Sequence, residues 1–439
     1  MERYKILWLR TGIFCLVFCL ISWVTLFAQK LSEASPESVG LSSSGFERLD
    51  AFLQDYIDQK KMPGAVALVA RKGKIVYHQA FGQGAPGKAM QKDHLFRIAS
   101  MTKPITSLAV MMLYEEGKLR LEDPISQYIP EFKNPQVLKT LNTADTSYTT
   151  EPARREITIH DLLTHTSGIS YGFVDSLRAN ALYTKAQIPD LATMHPLTIG
   201  QMVKKLATLP LMHHPGEAWT YGLNTDVLGY LVEVVSGLSL ADFLQKRLFE
   251  PLDMQDTRFF YPDSVATRLV AMSYEGKAGT VDFYKDEPLA QLADYPVKGA
   301  KTYYSGGSGL CSTAEDYAKF CQMIANGGKY DGKQLLKTST LLRLATPQNP
   351  SLGEKAPVFG LGFALKTVSE TEKQKKLANK AKNTWPVAYS LSWGGAFHTT
   401  FWIDPTHELL AVLMTQVYPT RQEAFFPRFE KLVYETLPE

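Results

Sequence analysis

The sequence has very little net charge for its length. Its 439 residues include 47 Lys and Arg against 44 Asp and Glu, which gives a formal net charge of +3. Arg3, Lys5 and Arg10 against Glu2 supply +2 of this within the first 28 residues, which leaves about +1 for the remainder. Because nucleic-acid-binding domains need a strongly basic face, we do not expect a nucleic-acid partner.

Cysteine is also scarce. Only four cysteines occur, and two of them, Cys311 and Cys321, follow residue 28. They lie ten positions apart in a mostly helical pattern, which puts their Cα atoms beyond the ~7 Å that a disulfide can span. We therefore expect two packed, reduced thiols.

Two common hydrolase motifs are missing. No G-x-S-x-G occurs, which excludes the usual nucleophile turn of α/β-hydrolases. No H-E-x-x-H occurs, and His160 and His165 are five rather than four residues apart, so a zinc-binding helix is not indicated. We predict neither a metal nor a cofactor.

The N-terminus carries a long uncharged apolar run. Residues 11–28 are apolar and follow a basic start that ends at Arg10, as in a secretory signal. The run is intermediate in length between a cleaved signal and a membrane span. We predict that residues 1–28 are a signal peptide or a membrane anchor. The protein would then be exported, periplasmic or secreted, with membrane attachment only through residues 11–28.

Strand patterns are confined to the two ends of the chain. Residues 64–70 and 74–82 are β-rich and are separated by Arg71-Lys72-Gly73, which is typical of a hairpin. Three runs near the C-terminus are also strand-like: residues 362–368, 387–393 and 399–415, the last with a turn at 404–407. The economical arrangement joins both sets in one antiparallel sheet.

Helical patterns fill the middle of the chain and flank the strands. The predicted helices cover residues 43–60, about 100–117, 226–236, 240–249, 312–326 and 422–437, with two more that begin after Thr158 and Thr198. Residues 133–156 are polar, with two prolines and many threonines, and are predicted to be a surface loop or an insertion.

These patterns predict an α+β fold, in which helices flank an antiparallel sheet and a mainly helical lobe is added. One domain would span residues 35–437. Its sheet lobe would comprise about 43–99 and 290–437, and its helical lobe about 100–289.

Ser100 and Lys103 are the first candidate catalytic residues. They are three residues apart at the start of a long amphipathic helix, so both side chains lie on one helix face. Serine is a weak nucleophile that needs an adjacent base, and a lysine serves when its surroundings lower its pKa. The alternative is an N-capping serine beside a surface lysine. Since Ser100 follows the first strand pair, we expect it in a cleft between the lobes.

Two later stretches are candidates to face Ser100. Tyr221 lies in a turn before a helix, where a phenol can shuttle the serine proton; otherwise it only packs. Gly394 and Gly395 end a predicted strand and indicate a close approach to the backbone, by a substrate carbonyl or within a β-bulge. If it is a substrate, the amides of Ala396 and Ser100 can form an oxyanion hole.

Together these stretches resemble the serine β-lactamase and penicillin-binding fold family, specifically its class C-like branch with the family VIII carboxylesterases. The resemblance runs from residue 35 almost to the C-terminus. Five motifs carry it: S-M-T-K (100–103), L-L-T-H-T-S-G-I (162–169), P-G-E-A-W-T-Y (215–221), S-G-G-S-G-L-C-S-T-A-E-D (305–316) and W-G-G (393–395). It implies that Ser100 is the nucleophile, that Lys103 and Tyr221 are its base pair, and that the Ser100 and Ala396 amides bind the oxyanion.

The chain departs from the lactamase pattern in two places. Tyr-x-Asn is replaced by Tyr221-Gly222-Leu223, with Asn224 one position late as the candidate substrate-binding amide. Lys-Thr-Gly is replaced by Trp393-Gly394-Gly395, and tryptophan cannot supply the lysine charge that binds a β-lactam carboxylate. Trp-Gly-Gly resembles the esterase branch, so we also expect these three residues to contact the substrate.

We therefore predict an exported serine hydrolase that forms an acyl-enzyme, specifically a carboxylesterase on short-chain esters. Its partner would be a small-molecule ester or acyl substrate. A β-lactamase or D-alanyl carboxypeptidase acting on β-lactam or cell-wall substrates is the alternative. A binding protein of the same fold that has lost activity is a second one.

Overall fold

The computed structural model describes residues 30–284, 293–367 and 389–438. The predicted signal peptide or anchor, residues 1–28, lies outside the described residues. So do the predicted boundary between the lobes at residues 289–290 and parts of two predicted strands, residues 368 and 387–388.

The strands in the described part of the chain form one large sheet and four small ribbons. The large sheet contains β1 (Ser32–Glu33), β2 (Gly64–Arg71), β3 (Lys74–Ala85), β4 (Lys88–Ala89), β13 (Ala364–Thr367), β14 (Tyr389–Gly395), β15 (Thr399–Asp404) and β16 (Leu409–Met414). The ribbons pair β5 (Phe96–Arg97) with β10 (Cys311–Ser312), β6 (Gln136–Leu141) with β7 (Tyr148–Pro152), β8 (Ser273–Glu275) with β9 (Val281–Phe283), and β11 (Lys329–Tyr330) with β12 (Lys333–Gln334).

The described α-helices lie between and after these strands, and six of them follow one another without a strand between residues 159 and 252. They are α1 (Ser43–Asp58), α2 (Thr102–Glu115), α3 (Ile159–Leu163), α4 (Arg178–Lys185), α5 (Ile199–Leu206), α6 (Asn224–Ser236), α7 (Leu240–Leu244), α8 (Glu250–Leu252), α9 (Ala314–Ala325), α10 (Thr338–Leu344) and α11 (Phe425–Tyr434). A π-helical turn, Gln245–Phe249, links α7 to α8.

The large sheet joins the two ends of the chain, as predicted. Its order is β1-β3-β2-β16-β15-β14-β13, with β4 added on β3. The pair β2–β16 is antiparallel, with Val69 opposite Ala411, and it connects the N-terminal hairpin to the C-terminal strands. Among the described strands of this sheet, only β1 pairs in parallel, with β3. The predicted α+β class and the antiparallel pairing of the two ends are confirmed.

Helices cover both faces of this sheet. Strand β2 is apolar up to its last residue, Arg71, and its successive side chains point to opposite faces. Ala65, Ala67 and Val69 pack in a cluster with residues of α1 and α11, such as Leu49 and Phe429. Val66, Leu68 and Ala70 belong to the main core, which also contains the apolar residues of α2 and α9. A strand buried on both faces fixes the register of the sheet centre.

The middle of the chain is helical, as its capping residues predict. At the start of α3, the Thr158 side chain accepts a hydrogen bond from the Asp161 backbone N–H, and the Asp161 side chain accepts one from the Thr158 backbone N–H. Thr198 and Gln201 form the same capping box at the start of α5.

No described helix is by itself long and apolar enough to cross a membrane. The sharply bent helix pair 224–236 and 240–252 is long and apolar enough only when the two helices are taken together.

The predicted loop at 133–156 is wrong, because this segment contains the hairpin β6–β7. Its strands are mostly solvent-exposed, and only Val137 and Leu138 are buried, so there is no alternation of apolar residues to reveal it. Cross-strand polar contacts help to hold it, such as the 2.6 Å hydrogen bond between the Thr140 and Thr149 hydroxyls.

Both described cysteines are buried and free, as the sequence spacing predicts. Cys311 belongs to strand β10 and Cys321 to helix α9, which follows it directly. Burial raises the pKa of both thiols, and that of Cys311 reaches about 11. They are therefore protonated packing groups at neutral pH.

Candidate active site

Ser100 lies in the turn that connects strand β5 to helix α2. A 3₁₀ turn, Ala99–Met101, runs directly into α2, so the Ser100 backbone is at the positive end of the helix dipole. Ala99 has φ 41°, in the left-handed region that alanine rarely adopts. Gln416 holds the preceding strand in place, since it bonds to both the N–H and the carbonyl of Arg97. We call residues 99–101 the nucleophile turn, after the candidate nucleophile Ser100, and these contacts fix it in an unusual conformation.

The structure brings Ser100, Lys103 and Tyr221 together. The Tyr221 hydroxyl donates a 2.7 Å hydrogen bond to Ser100 Oγ, and Lys103 Nζ is 3.3 Å from the same oxygen. Ser100 and Lys103 are buried, whereas Tyr221 is half-buried. Both groups contact the oxygen that must lose a proton, so whichever of them is deprotonated can act as the base, which is the geometry of an activated nucleophile.

The Lys103 ammonium is held by three hydrogen bonds. Besides Ser100 it donates to the Tyr171 hydroxyl at 3.0 Å and to the Gly307 carbonyl at 2.8 Å. It also lies 4.7 Å from the centre of the Tyr221 ring and 5.1 Å from that of Tyr171. Because an ammonium has three N–H donors, its orientation is fully determined. A fixed positive charge beside Ser100 Oγ and Tyr221 stabilises the anion that either forms.

Sequence reasoning missed Tyr171 and the support beneath it. Burial raises the pKa of Tyr171 well above its usual value, and the charge of the Asp226 carboxylate raises it further. This tyrosine therefore stays a neutral phenol. Its position, two residues after the 162–169 block, is the one sequence signal that could have indicated it.

Asp226 is the buried carboxylate that supports the Gly307 loop. It accepts hydrogen bonds from the Ser305 hydroxyl at 2.6 Å and from the Gly307 N–H at 3.2 Å. Burial raises its pKa, and the Lys103 charge opposes that rise. Gly307 has no room for a side chain, since a Cβ there would be 2.4 Å from Asp226 Oδ2. The loop can therefore place its carbonyl against Lys103.

The expectation that Asn224 contacts the substrate needs correction. Asn224 is fully buried, its Oδ1 accepts from the Ser167 hydroxyl at 2.5 Å, and its Nδ2 lies 2.9 Å from His165 Nδ1. Because Asn224 begins helix α6, its side chain points into the core behind the site. There it orients the imidazole of His165 rather than a substrate.

His165 lies between Asn224 and Tyr221. Its ring is 5.1 Å from that of Tyr221 and also contacts Trp219 and Phe359. Burial and the Lys103 charge lower its pKa well below the usual value, so the ring is neutral. The Asn224 amide donates to its Nδ1, which leaves the proton on Nε2. His165 is thus a rigid support behind Tyr221.

The Trp-Gly-Gly stretch ends strand β14 beside the nucleophile turn. The Trp393 ring is 5.7 Å from that of Tyr221 and 5.4 Å from that of Phe359, so it extends the aromatic wall of the site. Gly394 and Gly395 are half-buried and pair with Thr400 and Thr399 of β15. The approaching group that Gly395 accommodates is the Ile98 carbonyl of this chain.

Ala396 follows directly and lies close to the nucleophile turn. It packs against a small cluster that contains Ala99 and Phe397. Its proposed partner in the oxyanion hole, Ser100, is the residue after Ala99. His398, in the same turn, is buried; its ring stacks on that of Phe425 and lies tilted against that of Phe426. Across the described residues, no group of three or more His, Cys, Asp or Glu is placed to hold a metal ion.

Comparison with known proteins then decides the family. A family model described as Beta-lactamase matches residues 49–433. The chain belongs to the Beta-lactamase family. Esterase EstB of Burkholderia gladioli is 31% identical over 382 residues, which is 84% of this chain and 89% of EstB. Lovastatin esterase of Penicillium rubens is 31% identical over 385 residues, 83% of this chain and 91% of that enzyme.

A solved structure shows the same relationship. EstCE1, described as a hydrolase with promiscuous acyltransferase activity, matches with a TM-score of 0.72 and 26% identity, covering 89% of this chain and 98% of EstCE1. This Beta-lactamase family member is therefore a hydrolase with esterase relatives. The resemblance seen in the sequence is confirmed.

Proposed function

We propose that this protein is a carboxylesterase that cleaves short-chain esters through an acyl-enzyme on Ser100. The observation that carries the proposal is the contact of Ser100 Oγ with both the Tyr221 hydroxyl, at 2.7 Å, and the Lys103 ammonium, at 3.3 Å. A binding protein without activity has no physical reason to keep a buried lysine, a tyrosine and a strained turn around one serine.

The proposed reaction has two steps. The Tyr221–Lys103 pair first loses one proton to solvent. Ser100 Oγ then attacks the ester carbonyl as its own proton passes to the pair, and the amides of Ser100 and Ala396 stabilise the oxyanion. The pair then returns this proton to the departing alkoxide, which leaves as an alcohol. Water, deprotonated by the same pair, attacks the acyl-Ser100 carbonyl, and the released Ser100 oxygen regains its proton.

Two observations favour an ester over a β-lactam. Trp393 occupies the position of the lactamase Lys-Thr-Gly lysine and offers no positive charge for a carboxylate. Its ring instead extends an apolar wall with Tyr221 and Phe359. Two relatives at 31% identity are named as esterases, which also supports ester hydrolysis here.

The test compares two substrates on two proteins. We expect wild type to hydrolyse p-nitrophenyl butyrate with a higher kcat/KM than a chromogenic cephalosporin, and Ser100→Ala to lose at least about 10³-fold with the butyrate. Ester turnover that survives Ser100→Ala would overturn the assignment. A slowly released penicillin adduct on Ser100 would favour the cell-wall or β-lactam alternative instead.

We also propose that the protein is exported and that residues 11–28 are its only membrane contact. The basic start followed by an apolar run supports this. Expression of the full chain in a bacterial host, followed by fractionation, should place esterase activity in the periplasmic, secreted or membrane fraction. Removal of residues 1–28 should leave the activity in the cytoplasm. Activity in the cytoplasm for both forms would contradict export.

A further inference from the structure

The Lys103 side chain is buried, so its positive charge must be balanced within the protein. Lys103 is 1% exposed, and its three hydrogen bonds go to the neutral oxygens of Ser100, Tyr171 and Gly307. These bonds satisfy the three N–H groups but cancel no charge, and an isolated buried charge is very costly. A protonated Lys103 therefore needs a carboxylate close behind these oxygens.

Asp226 occupies that place, on the other side of Gly307. Its Oδ1 accepts from the Gly307 N–H at 3.2 Å, and the carbonyl of the same glycine accepts from Lys103 Nζ at 2.8 Å. The Ser305 hydroxyl also donates to Oδ1, at 2.6 Å, so two donors stabilise the ionised carboxylate. Gly307 thus bridges a buried ammonium and a buried carboxylate.

The second carboxylate oxygen faces the phenol that contacts Lys103. Asp226 Oδ2 is buried and has no hydrogen-bond partner among the described residues. A Cβ on Gly307 would lie 2.4 Å from this oxygen and 2.9 Å from the Tyr171 hydroxyl oxygen, so the two oxygens converge on the same side of Gly307. The Tyr171 hydroxyl in turn accepts from Lys103. The carboxylate therefore acts on the ammonium both through Gly307 and across Tyr171.

Other titratable groups around Lys103 do not balance its charge. Burial raises the pKa of Tyr171 and Tyr303 well above the usual value and lowers that of His165 well below it. The two phenols and the imidazole are therefore neutral at pH 7. Tyr221, the remaining neighbour, is the partner of Lys103 in the proposed base pair.

Two carboxylates act on the same phenols, but only one of them is coupled to the lysine. Asp226 and Asp190 both raise the pKa of Tyr171 and Tyr303. The Lys103 charge lowers the pKa of Asp226, whereas it does not affect that of Asp190, which accepts from the Gly172 N–H instead. Asp190 is therefore the matched control for Asp226.

We propose that Asp226 is a positioning residue that, as the counter-charge of Lys103, sets the lower pH limit of catalysis. This inference rests on the proposed esterase function of Ser100. The pair of Lys103 and Tyr221 must lose one proton before it can act as a base, and the Asp226 charge opposes that loss whichever member gives up the proton. A group that holds its proton more tightly is also a stronger base once the proton is gone. Asp226 thus raises the pH that activity requires and increases the rate above that pH.

The experiment measures two pH profiles, that of kcat/KM for p-nitrophenyl butyrate and that of the rate of reaction with a fluorophosphonate. Asp226→Asn keeps an oxygen acceptor for the Ser305 and Gly307 donors but removes the charge. We expect the acid limb of both profiles to move to lower pH by about one unit or more, and the plateau rate to fall by about tenfold. Asp190→Asn should keep the wild-type acid limb. An Asp226→Asn variant that is slower by the same factor at every pH would show a purely structural role and overturn the inference.

A reciprocal measurement decides the question if Asp226→Asn does not fold. Because the coupling is mutual, Asp226 should take up its proton at a pH at least about one unit higher in Lys103→Met than in wild type. The infrared carbonyl band of a protonated carboxyl group, followed against pH in the difference spectrum of the two proteins, measures this shift. The absence of an additional band in Lys103→Met would overturn the inference.

Failure of this inference is distinguishable from failure of the esterase proposal. A wild-type protein that neither cleaves the ester nor reacts with the fluorophosphonate overturns the proposed function, and the inference falls with it. Normal wild-type turnover together with an acid limb that Asp226→Asn does not move overturns only the inference.

Discussion

Gly395 lies directly against the carbonyl oxygen of Ile98. A Cβ at position 395 would be 2.4 Å from that oxygen and 2.3 Å from Thr399 Oγ1, distances that real Cβ atoms do not reach. Ile98 is two residues before Ser100, and Gly395 is the residue before Ala396. The absence of a side chain at 395 therefore lets the nucleophile turn and the end of strand β14 come together. One proposed oxyanion donor, Ser100, follows Ile98 in the turn, and the other, Ala396, follows Gly395 at the end of the strand.

Gly395→Ala should therefore separate the two oxyanion donors. We expect kcat for p-nitrophenyl butyrate to fall by about 10²-fold, as for loss of one donor, with a much smaller change in KM. Gly394→Ala is the comparison, because its Cβ would lie 3.3 Å from the Thr399 carbonyl, a contact that a small shift relieves. Its loss of kcat should be at least about tenfold smaller. Equal kcat losses would contradict this role of Gly395.

Tyr221 and Tyr171 both approach Lys103, yet their substitution should have different effects. Tyr221→Phe removes the hydroxyl that contacts Ser100 and should lower kcat by about 10²–10⁴-fold. Tyr171→Phe removes only an acceptor for the Lys103 ammonium and should cost about tenfold. Steady-state kinetics on both variants measures the difference. A larger loss for Tyr171→Phe would make Tyr171 the proton carrier.

Asn224→Ala distinguishes a supporting role from substrate binding. The variant leaves His165 Nδ1 and the Ser167 hydroxyl without their buried partner, so we expect the free energy of unfolding to fall by about 1–3 kcal/mol. KM for a short ester should stay close to the wild-type value. Thermal denaturation together with kinetics provides the test. A rise in KM of tenfold or more with unchanged stability would restore Asn224 to the substrate site.

His398 should make the fold sensitive to mild acid. Burial lowers the pKa of its imidazole from 6.5 to about 4, despite the opposing charge of Glu275. Between pH 6.5 and 4 the unfolded chain binds this proton and the folded chain does not, so stability falls as pH falls, by about 1.4 kcal/mol per pH unit. His398→Asn tolerates the positive φ of 63° and removes the titration. Denaturant unfolding should show a flatter slope between pH 4 and 6.5 in this variant, and an unchanged slope would contradict the prediction.

Local sequence spacing predicted much of the site. Ser100 and Lys103 share a helix face by geometry alone, and the Gly394–Gly395 pair indicated a close backbone approach. The identity of the approaching group could not be read from the sequence, because Ile98 reaches Gly395 only through the pairing of distant strands. The same limit applies to the Gly307 carbonyl, which arrives more than 200 residues after Lys103.

Asn224 and the hairpin β6–β7 show where local patterns fail. Asn224 is one residue from a familiar motif position, but the start of helix α6 turns its amide into the core. The hairpin strands are largely solvent-exposed, so they lack the apolar alternation that marks a half-buried strand. In both cases tertiary packing decides the outcome, and a single sequence does not record it.

The measurement that tests the central claim most directly is the intact mass of the folded protein after treatment with a fluorophosphonate. The account predicts a single adduct on wild type, mapped to Ser100 by peptide sequencing and absent from Ser100→Ala. Lys103→Ala, which lacks the ammonium 3.3 Å from Ser100 Oγ, should react far more slowly. No adduct on folded wild type, or an adduct that persists in Ser100→Ala, would contradict the assignment of Ser100 as the nucleophile.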